Sequence, residues 1–287
     1  VLLKAGLDIG EMNMVRRQLS AIKGGRLAAR AGRSVTLAIS DVCTPIEDDP
    51  RVIGSGPTVG DDTTLALALD VLRRHALVDL VPSAVRKYLE RGTDTGGNAV
   101  VAVHDPRLRH AAYWIAASRQ DAMRAAGETA RALRYHVHTI ATPTIGPARD
   151  AARDLMDVLA FATRPACVIA SGETTVHVKG RGRGGRNQEL AVAALERLSS
   201  LAPAALASIG TDGADGPTDA AGAFVDAESW DMLGAAAGVR IGRALDENDT
   251  YPLLDHLEAL VRTGPTGTNV GDLQVMLLPA ADATASS

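Results

Sequence analysis

Between Asn13 and Arg30 the apolar residues Val15, Leu19, Ile22 and Leu27 fall at roughly helical spacing, and Gly24-Gly25 interrupts the period. Val35 to Val42 is a short apolar run that reads as a buried strand. Thr63 to Leu77 and Ser83 to Glu90 read as helices, the first preceded by Asp61-Asp62 as capping residues. Downstream, strands are predicted over Ala112–Ala117, His136–Ala141, Ala166–Ser171, Thr174–Val178, Ala205–Ile209 and Leu273–Leu278. The two over Ala166–Val178 are broken at Gly172-Glu173. Helices are predicted over Ser118–Leu133, Pro147–Ala162, Asn187–Leu198, Asp226–Ala237 and Asp249–Val261. Strand and helix alternate, and many strands are apolar on both faces, which argues for an α/β fold with mostly parallel, covered sheets. Pro165 stands between a helix and a fresh strand, so a boundary is expected there, dividing 1–163 from 164–279. Residues 280–287 are small and polar and read as a disordered tail.

Composition narrows the function. The chain has 287 residues, enough for one large or two ordinary domains, with 46% apolar and 22% charged residues, a globular balance. A net charge of −4 and only 3% aromatic residues argue against a nucleic-acid partner. Cys43 and Cys167 are too few for a disulfide framework, which favours a cytoplasmic setting. No apolar run reaches the roughly 20 residues of a membrane span, and the start does not read as a signal peptide. The chain opens on Val1-Leu2-Leu3-Lys4 without Met, which fits a trimmed, processed or partial protein.

Four loops have unusual composition. Lys179 to Glu189 (KGRGRGGRNQE) joins a strand to a helix, and Gly180, Gly182 and Gly185 match the G-x-G-x-x-G spacing. Glycines admit close backbone approach, a helix N-terminus offers N–H groups, and Arg181, Arg183 and Arg186 offer bidentate donors, which together suit an anion. A dinucleotide site needs an acid about 20 positions on. The candidate, Asp212, lies 27 beyond Gly185, so that match is poor. A solvated basic loop is the plainer alternative. Gly210 to Asp219 (GTDGADGPTD) carries Asp212, Asp215 and Asp219, suited either to a hard cation or to Asx turns. Gly54 to Thr58 (GSGPT) fits an anion nest or a simple turn, and Thr263 to Asn269 (TGPTGTN) fits a small hydroxylated ligand or an ordinary loop. There is no P-loop and no G-x-S-x-G elbow. His136 and His138 alternate on a strand and do not have zinc spacing.

The strings Gly172-Glu-Thr-Thr-Val176, Gly180 to Glu189, Gly210 to Gly222, Asn248-Asp249 and Thr263 to Val270 resemble the C-terminal (MOFRL) domain of the type II glycerate 2-kinase family. Glu11 to Arg16, Leu19-Ser20, Lys23-Gly24-Gly25, Ile39 to Val42 and Gly54 to Thr58 resemble the latter part of that family's N-terminal domain. The resemblance implies a Rossmann-like parallel sheet remnant of an N-terminal domain, followed by a smaller C-terminal α/β domain. It also implies ATP- and Mg²⁺-dependent phosphorylation of D-glycerate to 2-phosphoglycerate. On this basis Arg186 is expected to be the catalytic cation, and Asp212 to hold Mg²⁺ or orient the attacking hydroxyl. Lys23, Ser55, Gly56, Thr58, Glu173, Gly182, Gly184, Gly185, Asn187, Asp215, Asp219 and Asn269 are expected to bind glycerate or nucleotide. Family members carry an earlier region with a phosphate-binding loop and an active-site lysine, and neither is found in these residues. The chain is therefore expected to lack the family's N-terminal segment, with turnover impaired. An NAD(P)-dependent hydroxypyruvate reductase and a non-catalytic binder of an anionic metabolite are the alternatives.

Overall fold

The computed structural model describes residues 1–7, 9–94 and 99–280. The expected tail at 281–287 lies outside them. The chain divides into two compact units, one of residues 1–38 and 44–116, the other of 39–43 and 117 onward.

The first unit holds α1 (Ile9–Leu19), α2 (Arg26–Ala31), β1 (Ser34–Ile39), α3 (Leu65–Arg74), α4 (Ser83–Asp94) and β2 (Ala111–Ala117). Gly24 and Gly25 separate α1 from α2 because both sit at positive φ, 60° and 77°, and a Cβ on Gly24 would collide with Val100. The core packs Leu65, Ala68, Leu69 and Leu72 of α3 against Val15 and Leu89. Thr64, not Asp61-Asp62, caps α3: its hydroxyl oxygen accepts from Leu67 N at 3.1 Å. Asp61 is drawn away into a buried ion pair with Arg17 at 2.9 Å. Among the described residues β1 pairs only with β2, and Val35 and Leu37, expected in a buried strand, are about 70% exposed (69% and 70%).

The second unit contains α5 (Arg119–Ala132), β3 (His136–Thr139), β4 (Thr144–Pro147), α6 (Ala148–Ala160), β5 (Ala166–Thr175), α7 (Arg186–Ser200) and β6 (Ala205–Gly210). They are followed by β7 (Gly222–Asp226), α8 (Ala227–Met232), α9 (Ala237–Asp246), α10 (Thr250–His256), β8 (Leu260–Val261) and β9 (Asp272–Leu278). Residues 117–163, grouped by the sequence with the first domain, belong structurally to this unit, since β3 and β4 both hydrogen-bond to β5. The sheet order is β3-β5-β9-β6-β7-β8, with β4 also on β5.

The α/β class holds, with pairing more mixed than the apolar runs suggest. β3 and β4 run parallel to β5, whereas β5–β9, β9–β6, β6–β7 and β7–β8 are antiparallel. The runs are apolar on both faces because helices cover both. Ala166, Val168 and Ala170 of β5 face the α6–α7 core, and Cys167 and Ile169 face Met123 and Ala130 of α5. β5 is one strand, not two. Gly172 does not break it but admits the backbone of β4, where a Cβ would strike Thr144. The predicted Asp226–Ala237 helix ends early, at Met232, and α9 follows as a separate helix.

Pairing positions the site. Asp272, first in β9, lies level with Gly172 of β5 and Gly210 of β6. The loops after β5 and β6 therefore leave the sheet on either side of one buried carboxylate.

Candidate active site

Arg186 opens α7, where its side chain turns back over the sheet. Its Nε and one terminal nitrogen donate to the two Asp272 carboxylate oxygens at 2.6 and 2.9 Å, a bidentate pair. The Asp272 side chain is fully buried, whereas Arg186 keeps 31% of its side chain exposed. The carboxylate raises the arginine pKa, so Arg186 is a permanent cation. Its other terminal nitrogen lies 3.6 Å from Glu173 at the end of β5. Partial removal from water pushes the Glu173 carboxyl up, Arg186 opposes this, and Asp272, Asp41 and Asp212 add to the rise. Glu173, Arg186, Gly182, Gly184 and Gly185 line a cleft of about 460 Å³. Five of the expected site residues are thus brought together around one fixed cation.

The glycine loop is shaped by its own chain. A Cβ on Gly180 would strike Glu247, on Gly182 Asp249, on Gly184 Thr250 and on Gly185 Asp215. Several of its N–H groups are also engaged: Asn248 Oδ1 accepts from Lys179 and Gly180 at 2.8 and 2.9 Å, and Asp249 Oδ1 from Arg183 at 2.9 Å. The N-terminus of α7 is filled in the same way, because Asp215 accepts from Asn187 N at 3.0 Å and Gln188 N at 2.9 Å. Part of the expected anion nest is therefore occupied by the protein itself, and the cleft's fixed positive charge comes from Arg186.

Asp215 and Asn187 are corrected accordingly. They are 2% and 0% exposed, and Asn187 accepts from Ser208 at 2.7 Å, so both hold the loop-to-helix junction from beneath. Burial raises the Asp215 pKa, and the two N–H donors pull it back. Asp219 lies outside the cleft, accepting from the Tyr251 hydroxyl at 2.6 Å and from Arg262 at 3.2 Å on the surface.

Asp212 and Asn269 share a second cleft of about 500 Å³ with Asp41. Asn269 donates to Asp41 at 2.8 Å, and Asp212 Oδ1 accepts from Ala214 N at 3.1 Å, an Asx turn. The three aspartates of this loop diverge: one makes the turn, one caps α7 and one sits at the surface. Among the described residues no group of three or more His, Cys, Asp or Glu side chains could hold a metal ion. Asp212 shares its cleft with one other carboxylate, Asp41, so the described residues there do not form an all-protein Mg²⁺ cage.

In the first unit, Lys23 Nζ donates to Ser55 Oγ at 3.2 Å, and Ser55 donates to Asn13 at 3.1 Å. Gly56 accepts from Gly25 N at 2.9 Å at a φ of 61°. Thr58 is apart from that group, accepting from Thr36 at 2.7 Å. Sequence reasoning missed Asp272 and Asp41 as site carboxylates. Asp272 carried one signal, a lone acid beginning an apolar strand.

Two family models match the chain: "MOFRL family" over residues 166–272 and "Domain of unknown function (DUF4147)" over residues 1–90. A glycerate 2-kinase of Pyrococcus horikoshii is 34% identical over 97% of this chain and 63% of its own length. A protein of Agrobacterium vitis named "Putative hydroxypyruvate reductase" is 36% identical over 96% of this chain and 71% of its own length. The crystal structure of a glycerate kinase from Thermotoga maritima superposes with a TM-score of 0.84 at 37% identity, covering 96% of this chain and 65% of that one. The chain therefore spans less than two thirds of the archaeal relative and of the solved structure. Among the described residues no helix is long and apolar enough to cross a membrane. On these similarities, in sequence and in fold, the chain belongs to the type II glycerate kinase family.

Proposed function

We propose that this chain provides the Arg186 cleft of an ATP-dependent glycerate 2-kinase. The observation that carries the reading is the guanidinium locked on buried Asp272 with its remaining nitrogen turned to the cleft beside Glu173. A fixed cation in a partly dry site stabilises charge as it develops on a transferring phosphoryl group, and it does so without reorganising. In the reaction, the 2-hydroxyl oxygen of D-glycerate bonds to the γ-phosphorus, the bond to the β,γ-bridging oxygen breaks, and the hydroxyl proton is released. The products are 2-phosphoglycerate, ADP and H⁺. Arg186 binds the glycerate carboxylate or the transferring phosphoryl. Asp212, whose Oδ2 has no hydrogen-bond partner among the described residues, orients the attacking hydroxyl. Asn269 and Asp41 flank it. Lys23 and Ser55 bind substrate or nucleotide oxygens, and Gly56 supplies backbone to the same turn. Mg²⁺ enters as a companion of ATP, since phosphate oxygens normally supply much of its shell.

The test is ADP release from D-glycerate and ATP, with the product identified by phosphorus NMR. The reading expects ADP and 2-phosphoglycerate in equal amounts, and glycerate-independent ATP hydrolysis overturns it. Near-normal turnover in Arg186→Lys removes the role given to Arg186, and an unchanged rate in Asp212→Asn removes that of Asp212. A second reading, hydroxypyruvate reduction, draws on the name of the Agrobacterium relative. Against it, several N–H groups of the loop and of the α7 N-terminus are already held by Asn248, Asp249 and Asp215. Steady NADH consumption with hydroxypyruvate would favour it.

A further inference from the structure

Arg186 and Arg183 are both engaged, the first by Asp272 and the second over the Tyr251 ring at 4.2 Å. Arg181 is not. Together with Arg240 and Arg243 it lines a separate cavity of about 570 Å³ on the other side of the glycine loop. Arg240 and Arg243 are three residues apart on α9, which places them on one helix face. None of these three guanidinium groups has a hydrogen-bond or ion-pair partner among the described residues. These three unpartnered arginines line one concavity, whose volume suits a small metabolite. Glu247 and Asp249 stand in the same wall, and Ala244 and Leu253 supply an apolar part.

We propose that this cavity is a second binding site, for a phosphorylated, hydroxyl-bearing metabolite such as a nucleoside or sugar monophosphate. The arginine forks match phosphate oxygens, and the two carboxylates accept from hydroxyls. Three cations and two acids leave this lining net positive, which suits an anion. The site is also placed to act on the cleft. Gly182 lines both cavities, and its N–H donates to Glu247 O at 3.0 Å. A ligand bridging Arg181 to α9 pins the loop that walls the Arg186 cleft, so occupancy changes how that wall is held. This coupling rests on the function proposed for the Arg186 cleft, whereas binding itself does not.

Calorimetric titration of AMP and of ribose 5-phosphate into the chain tests it, with Arg240→Ala/Arg243→Ala, Arg181→Glu and Arg186→Lys as variants. At least one probe is expected to bind saturably. Its affinity is expected to fall by roughly tenfold or more in the first two variants and to be unchanged in Arg186→Lys. The affected arginines have no partners, so circular dichroism melts of those two variants should match the parent. The proposal is overturned if neither probe binds, if the arginine variants bind as the parent does, or if binding is lost in Arg186→Lys alone. The last result would place the ligand in the cleft already described. A failed glycerate kinase assay leaves the binding result standing, so the two readings fail separately.

Discussion

Replacing Arg186 by Ala perturbs the fold and the proposed chemistry together, and the two can be separated. Asp272 has its side chain fully buried, and both carboxylate oxygens are held by Arg186, at 2.6 and 2.9 Å. Hydrogen bonds to charged groups are worth about 1.5–3 kcal/mol each. Removing one partner of a buried pair costs about 3–5 kcal/mol, because the remaining charge is left without compensation. Arg186 is partly exposed, so water can enter the space it leaves, and the lower end of that range is expected. For a unit of this size, 3–5 kcal/mol corresponds to a melting temperature lower by roughly 6–20 °C. Adding Asp272→Asn to Arg186→Ala removes the stranded charge and should recover part of the loss. Urea and thermal denaturation of the two single variants and the double variant give the coupling energy directly. If Arg186→Ala melts within about 1 °C of the parent, or if the double variant is simply additive, the account of this pair is wrong. A kinetic defect in Arg186→Ala is therefore interpretable only where the variant remains folded. Arg186→Lys keeps the charge but loses the fork.

Asp215→Ala uncaps α7, and unfolding should show a loss of about 1–2 kcal/mol, whereas Asp219→Asn on the exposed surface should leave the melting temperature close to the parent's. The raised Glu173 pKa means that the fold binds more protons than the unfolded chain between the ordinary carboxylate range and the raised value. Stability from this group is thus present below its unfolded pKa and lost as pH rises through its folded one. Glu173→Gln should therefore melt at or above the parent at neutral pH and converge on it in acid, and a lower neutral melting temperature would contradict this. Burial pushes the Cys167 thiol up to about 11, so iodoacetamide applied to the native protein at pH 8 should label Cys43 and spare Cys167 until urea is added.

Local pattern carried much of the architecture. Helical spacing and strand runs located α3, α5, α6, α7, β6 and β9 within a few residues, because each has a continuous apolar stripe facing a core. What was not legible depended on partners distant in sequence. β5 is unbroken because Gly172 meets β4, and the sheet is mixed because the last strand inserts between β5 and β6. The site was read in the same uneven way. Arg186, Glu173 and the glycines were visible as a loop suited to an anion. The loop's glycines, however, make room for the Glu247–Thr250 turn, and three of its N–H groups are closed by Asn248 and Asp249, more than 60 residues away. Asp272 carried only the signal of a lone acid before an apolar run, although it orients the cation on which the reading depends.

The most direct test is calorimetric titration of D-glycerate into the parent chain and into Arg186→Lys, each first shown to be folded by its melt. The account predicts saturable binding to the parent and an affinity at least roughly tenfold lower in the variant, as expected when a bidentate charged contact is lost. Equal affinity alone would assign Arg186 to the transferring phosphoryl, whereas equal affinity together with equal turnover in the two folded proteins would contradict the assignment of this cleft.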